Sequence, residues 1–211
     1  MATIAATGRV GQSTAVSSTY ERFAGACAVL TGVVGFGYAV AFVILRSTTF
    51  SALFLMLGGL LGVAALVAIY ARLKETDASF ALWGLILGAV GAIGSAIHGG
   101  YDLANALHPP AAVNLDLPSQ IDPRGLLTFG VAGLGLWVIA WLILRGGQFS
   151  KWLGYLGYVT AALLIIIYLA RLIVLDATSP LVLVPALLAG FVASPVWYVW
   201  IGISLWKGAR A

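Results

Sequence analysis

The stretch Phe80–Leu103, FALWGLILGAVGAIGSAIHGGYDL, decides the fold. It runs from Phe80 to Tyr101 without an Asp, Glu, Lys or Arg. A helix needs roughly 20 apolar residues to cross a hydrocarbon core at 1.5 Å per residue, so this run is read as a membrane span. Five more runs of similar length follow the same pattern: Phe23–Leu45, Phe50–Leu73, Leu126–Leu144, Trp152–Leu175 and Leu181–Trp206. The expected fold is therefore an all-α, six-helix transmembrane bundle. It comprises a polar N-terminal tail over residues 1–19 and one domain over residues 20–211, because the connections are too short to hold a second.

Composition agrees with that reading. Only 9% of the 211 residues are charged and 62% are hydrophobic, with a mean hydropathy of +1.05; a soluble domain carries about 25% charged residues. The 26 glycines suit helices that approach one another closely in lipid. The net charge of +4 does not indicate a nucleic-acid partner. Its basic residues are scattered singly between apolar runs, and no stripe exists that could follow a phosphate backbone. The expected partners are the lipid bilayer and other membrane subunits. The single cysteine, Cys27, precludes an intrachain disulfide and reads as a buried thiol.

Orientation follows from the basic residues. Arg9, Arg22, Arg72, Lys74, Arg145, Lys151, Lys207 and Arg210 fall on one side, whereas only Arg46, Arg124 and Arg171 fall on the other. The first set belongs in the cytoplasm, which places both termini there.

The polar residues inside the spans gather near one end. With His98 at zero and 100° per residue, Asp102, Asn105, Tyr101 and His108 share an arc of about 120°. Gly84, Gly91, Gly94 and Ser95 lie on much the same face, which therefore turns toward neighbouring helices and makes the third span the central one. Arg171 lies as far beyond Trp152 as Asp102 lies beyond Trp83, so an Asp102–Arg171 ion pair is expected at the outer end. His98, Tyr101, Asp102, Asn105, His108 and Arg171 are the candidate ligand-binding residues. A divalent ion on His98, Asp102 and His108 is a weaker alternative, since no spaced multi-histidine motif supports a metal. The loop from His108 to Arg124 holds four prolines and could cover this cluster. Pro185 and Pro195 should bend the sixth span.

The openings of the third and fifth spans, Trp83–Gly88 and Trp152–Gly157, share Trp and Gly without amounting to a repeat. No His-Glu-x-x-His, phosphate-binding loop or nucleophile elbow occurs, and no cofactor is indicated. Two histidines on one helix rule out a bis-histidine haem held between two helices of one chain.

The segment Arg145–Gly157, RGGQFSKWLGYLG, resembles a cytoplasmic turn of uncharacterised multi-span bacterial membrane proteins of the DUF4386 type, in which a basic residue and Trp-Leu-Gly-x-Leu-Gly open a late helix. The resemblance covers about a third of the chain. It implies a bacterial inner-membrane protein of similar architecture and assigns no catalytic residue. The functional expectation is a non-enzymatic accessory subunit or small ligand-binding bundle. A transporter or channel and a membrane-embedded enzyme with an outward-facing site are the alternatives.

Overall fold

The computed structural model describes residues 17–109, 124–174 and 179–208. All regular structure among them is helical. Six helices are long and apolar enough to cross a membrane: α1 (Ser18–Ile44), α2 (Thr48–Leu73), α3 (Ala78–Leu107), α4 (Leu126–Arg145), α5 (Lys151–Val174) and α6 (Pro180–Gly208). The expected spans are all present, and most extend a few residues beyond the apolar runs because polar caps start them. Ser17 Oγ accepts from the Tyr20 N–H at 3.2 Å, Ser47 Oγ from the Phe50 N–H at 3.4 Å, and Asp77 Oδ1 from the Phe80 N–H at 3.1 Å. Each cap satisfies one of the N–H groups that a helix start leaves unpaired. Pro180 stands in the first turn of α6, where its missing N–H costs nothing.

The helices form a ring in chain order. Each packs on its sequence neighbours, and α6 closes the ring on α1. The closing contact is a reciprocal glycine crossing. A Cβ on Gly25 would lie 2.8 Å from the Gly202 carbonyl oxygen, and one on Gly202 would lie 2.6 Å from the Gly25 carbonyl oxygen. The described chain therefore begins and finishes at the same end of the bundle, here the terminal end; the opposite end is the distal end.

The ring is filled in its terminal half. Leu66 and Ile69 of α2, Ile139, Leu142 and Ile143 of α4, Leu153 of α5, and Trp197, Ile201 and Leu205 of α6 are buried together. The indole N–H of Trp197 donates to the Leu153 carbonyl at 3.2 Å. Hydroxyls within the spans return to backbone carbonyls one turn earlier, as in Thr31 to Cys27 at 2.8 Å and Thr160 to Leu156 at 2.8 Å. Among the described residues no buried side-chain polar atom is left unpaired, as a hydrocarbon environment requires. Cys27 is buried in α1.

The third span is not the central helix. In the apolar window of α4, 56% of residues are buried, against 28% in α3. The glycines of α3 do meet neighbours as expected. A Cβ on Gly91 would sit 2.6 Å from Ala132 Cα, and Gly94 abuts Leu127, both on α4. On the other side Gly99 abuts the backbone of Met56 in α2. The glycines thus serve two close crossings while Ile86, Ile93 and Ile97 remain exposed outward. The matched Trp-Gly openings of α3 and α5 have the same use. Gly84 meets Val138 and Ile139, and Gly154 meets Ala140 and Leu144, so the two helices press on α4 from either side.

Three helices contain a wider π-helical turn: Val40–Ile44 in α1, Leu126–Val131 in α4 and Ala189–Ala193 in α6. The last ends two residues before Pro195, so the proline's missing N–H is met by a change of helical register. At the end of α1, Arg46 has φ 50°. A residue bearing a side chain pays about 1–2 kcal/mol for that left-handed conformation, which glycine adopts freely.

Candidate functional site

The distal end of α3 carries the polar cluster. Successive turns place His98, Asp102 and Asn105 on one side of the helix, where α4 and the start of α2 face them. Asp102 Oδ1 accepts from Arg124 Nη1 at 2.9 Å, and Asp102 Oδ2 lies 3.5 Å from His98 Nε2. Arg124 also reaches the His98 carbonyl at 3.4 Å, and its guanidinium lies 4.5 Å from the centre of the Tyr101 ring, a cation–π contact. On the other side of the imidazole, His98 Nδ1 is 3.1 Å from Thr128 Oγ1. The neutral tautomer with its proton on Nε2 serves both neighbours: Nε2–H faces the carboxylate, and Nδ1 accepts from the hydroxyl. Thr128 stands within the π-helical turn of α4, and Arg124 lies two residues before Leu126, the first residue of that helix. The wide turn is thus the local feature that brings an α4 hydroxyl to α3.

Side chains in the cluster are partly shielded: His98 is 15% exposed, Arg124 26% and Asp102 34%. Beside them an open groove of about 400 Å³ is lined by Thr48 and Thr49 from the first turn of α2 and by Asp102, Asn105, Ala106 and Pro109. Hydroxyl, amide and carboxylate groups therefore converge on one open depression.

The expected partner of Asp102 is overturned. Among the described residues, Asp102 is ion-paired with Arg124 and lies beside the His98 imidazole, and Arg171 is not its partner. Equal depth along the spans does not bring Arg171 to Asp102, because α4 stands between α3 and α5 in the ring. Asn105 lines the groove, and Tyr101 is exposed beneath the Arg124 guanidinium. His108 is an exposed C-terminal cap of α3, its N–H donating to the Ala104 carbonyl. Among the described residues, His98, Asp102 and His108 do not gather into a group able to hold a metal ion. The proline-rich loop over residues 110–123 lies outside the described residues, as do most of the tail and Asp176.

Two residues of the cluster, Arg124 and Thr128, are not among those the sequence singles out. The available signal for Arg124 was a basic residue immediately before the fourth span, at the same end as Asp102. Nothing in the sequence marked the π-helical turn that carries Thr128.

No protein-family model matches the chain, and neither a characterised protein nor a solved structure is significantly similar to it. The geometry alone defines the class: an all-helical protein with six helices long enough to span a membrane and a polar groove at one end.

Proposed function

We propose that this chain is a multi-pass protein of a bacterial inner membrane, with both termini cytoplasmic, that binds a small polar molecule in its extracytoplasmic groove. The observation that carries the reading is the groove itself: Thr48, Thr49, Asp102 and Asn105 offer donors and acceptors around about 400 Å³ of accessible space. Because Arg124 neutralises Asp102, the ligand class favoured is uncharged or zwitterionic, recognised by hydrogen bonds rather than by net charge. The packed terminal half weighs against a continuous transport path. The absence of a spaced catalytic constellation weighs against chemistry at this site. The assignment to a bacterial inner membrane rests on the likeness of Arg145–Gly157 to the DUF4386-type turn.

The test is a thermal-melt screen of the purified full chain against free amino acids, sugars and polyols, followed by calorimetry on any hit. A specific ligand at about 100 times its Kd stabilises the protein by about 2.7 kcal/mol. Thr48→Val and Asn105→Leu should abolish that gain while leaving the unliganded melt close to wild type. A screen without stabilisation, or a gain that survives both substitutions, refutes the reading.

A further inference from the structure

A second groove lies on the lipid-facing side of the bundle, between α1 and α2. It holds about 510 Å³ and is lined by Val33, Phe36 and Gly37 of α1, by Leu45 just beyond that helix, and by Phe50 and Phe54 of α2. Gly37 keeps it open: a Cβ there would already be 3.2 Å from the Phe54 ring, so a larger side chain would fill the space. The distal end of the groove is Leu45, and the next residue is the exposed Arg46. Among the described residues no acidic group is paired with Arg46. Its φ of 50° is the only positive value at a non-glycine residue among them. Strain of this kind persists where the surrounding structure or a function requires it.

We propose that this groove holds one acyl chain of an anionic phospholipid from the distal leaflet, with the lipid phosphate at Arg46. Three features select this occupant. The lining is almost wholly apolar, so it excludes a polar ligand. Val33 to Leu45 spans twelve residues, about 18 Å of helix, which is close to the half-thickness of a hydrocarbon core of about 30 Å. A helix of a second copy would need a seam through both leaflets, whereas this groove serves one. Finally, a cation beside the interfacial end of an apolar slot matches a negatively charged headgroup over it. The site is separate from the polar groove: Thr48 and Thr49 face α3, whereas Phe50 and Phe54 lie on the opposite side of α2.

Native mass spectrometry tests this on the full chain released from nanodiscs of equimolar phosphatidylcholine and phosphatidylglycerol. One interfacial cation contributes about 1 kcal/mol, so wild type should retain phosphatidylglycerol about five-fold over phosphatidylcholine. Arg46→Gln should retain both lipids equally. Gly37→Leu should lose both, and Val33→Trp, at an exposed position, should do the same if the first variant does not fold. Equal retention of the two lipids by wild type would overturn the assignment. So would undiminished lipid on Val33→Trp, and a lipid-free two-chain mass would give the groove to a second copy.

Discussion

Asp102 and Arg124 lie 22 residues apart and are joined by a 2.9 Å charge-assisted hydrogen bond that ties the end of α3 to the start of α4. The bond spans the two ends of the longest connection in the chain. It also sets the charge of the polar groove, because Asp102 is both a groove wall and the arginine's acceptor.

A double-mutant cycle measures this tie. Asp102→Asn and Arg124→Gln should each lower thermal stability, and the double variant should lose less than their sum. Both groups are about a third exposed or less, so a coupling of roughly 0.5–2 kcal/mol is expected, above that of a fully solvated pair and below that of a dry one. The cycle of Asp102→Asn with Arg171→Gln should be additive. Coupling in the second cycle and additivity in the first would reverse the assignment.

The sequence made six spans legible because lipid imposes a length and a polarity that few other segments satisfy. It also made the small face of α3 legible, since Gly84, Gly91 and Gly94 recur at helical spacing. It did not reveal which helix is central. A helix apolar on all sides carries no stripe that tells lipid from protein, so α4 looked like its neighbours. Depth along a span can be counted from an interfacial tryptophan, but lateral order cannot, so Arg171 and Asp102 share a depth while standing on helices that α4 separates. Phe149 shows the same limit. It reads as part of a short loop, yet it is buried beneath the Arg72 guanidinium, 5.5 Å from its ring centre.

Two glycine substitutions should have opposite outcomes. Gly91→Ala places a methyl group against the Ala132 backbone, which cannot swing aside as a side-chain tip would. It should destabilise by about 1–3 kcal/mol, and Gly91→Leu by more. Gly35→Ala meets nothing within 4 Å and lies within α1, so it should be neutral or stabilising by up to about 1 kcal/mol. Thermal melts in one detergent check both. A tolerated Gly91→Leu would mean that α3 and α4 do not cross closely.

Arg72 fastens the terminal end. Its Nε and Nη2 reach Glu21 Oε1 and Oε2 at 2.9 and 3.2 Å, and Nη2 also donates to the Leu205 carbonyl at 3.3 Å. One side chain on α2 thereby holds α1 and α6, with both charged groups only 15–16% exposed. Arg72→Leu should cost roughly 2–4 kcal/mol, because Glu21 is left as a shielded, unpaired carboxylate. Glu21→Gln should cost less, since the amide still accepts from the guanidinium. Arg72→Lys should not restore wild-type stability, as an ammonium cannot make the two-pronged contact. A wild-type melt for Arg72→Lys would show that charge alone matters; a wild-type melt for Arg72→Leu would remove the tie altogether.

The last prediction concerns which end faces the cytoplasm. Among the described residues, the terminal end carries Arg22, Arg72, Lys74, Arg145, Lys151 and Lys207, whereas the distal end carries Arg46, Arg124 and Arg171. Basic residues in short loops are retained on the cytoplasmic side, and acidic residues contribute little to that bias. The distal groove should therefore open to the outside. Cys27 is buried and can be replaced by Ala to give a thiol-free background. In that background Ser47→Cys, between α1 and α2, should react in intact cells with a membrane-impermeant maleimide. Gln148→Cys, in the exposed turn between α4 and α5, should react only after the membrane is opened. The reverse pattern would turn the protein over and point the polar groove into the cytoplasm. Labelling of both sites from outside would deny that the two turns lie on opposite sides of the membrane, and with it the antiparallel course of the spans between them.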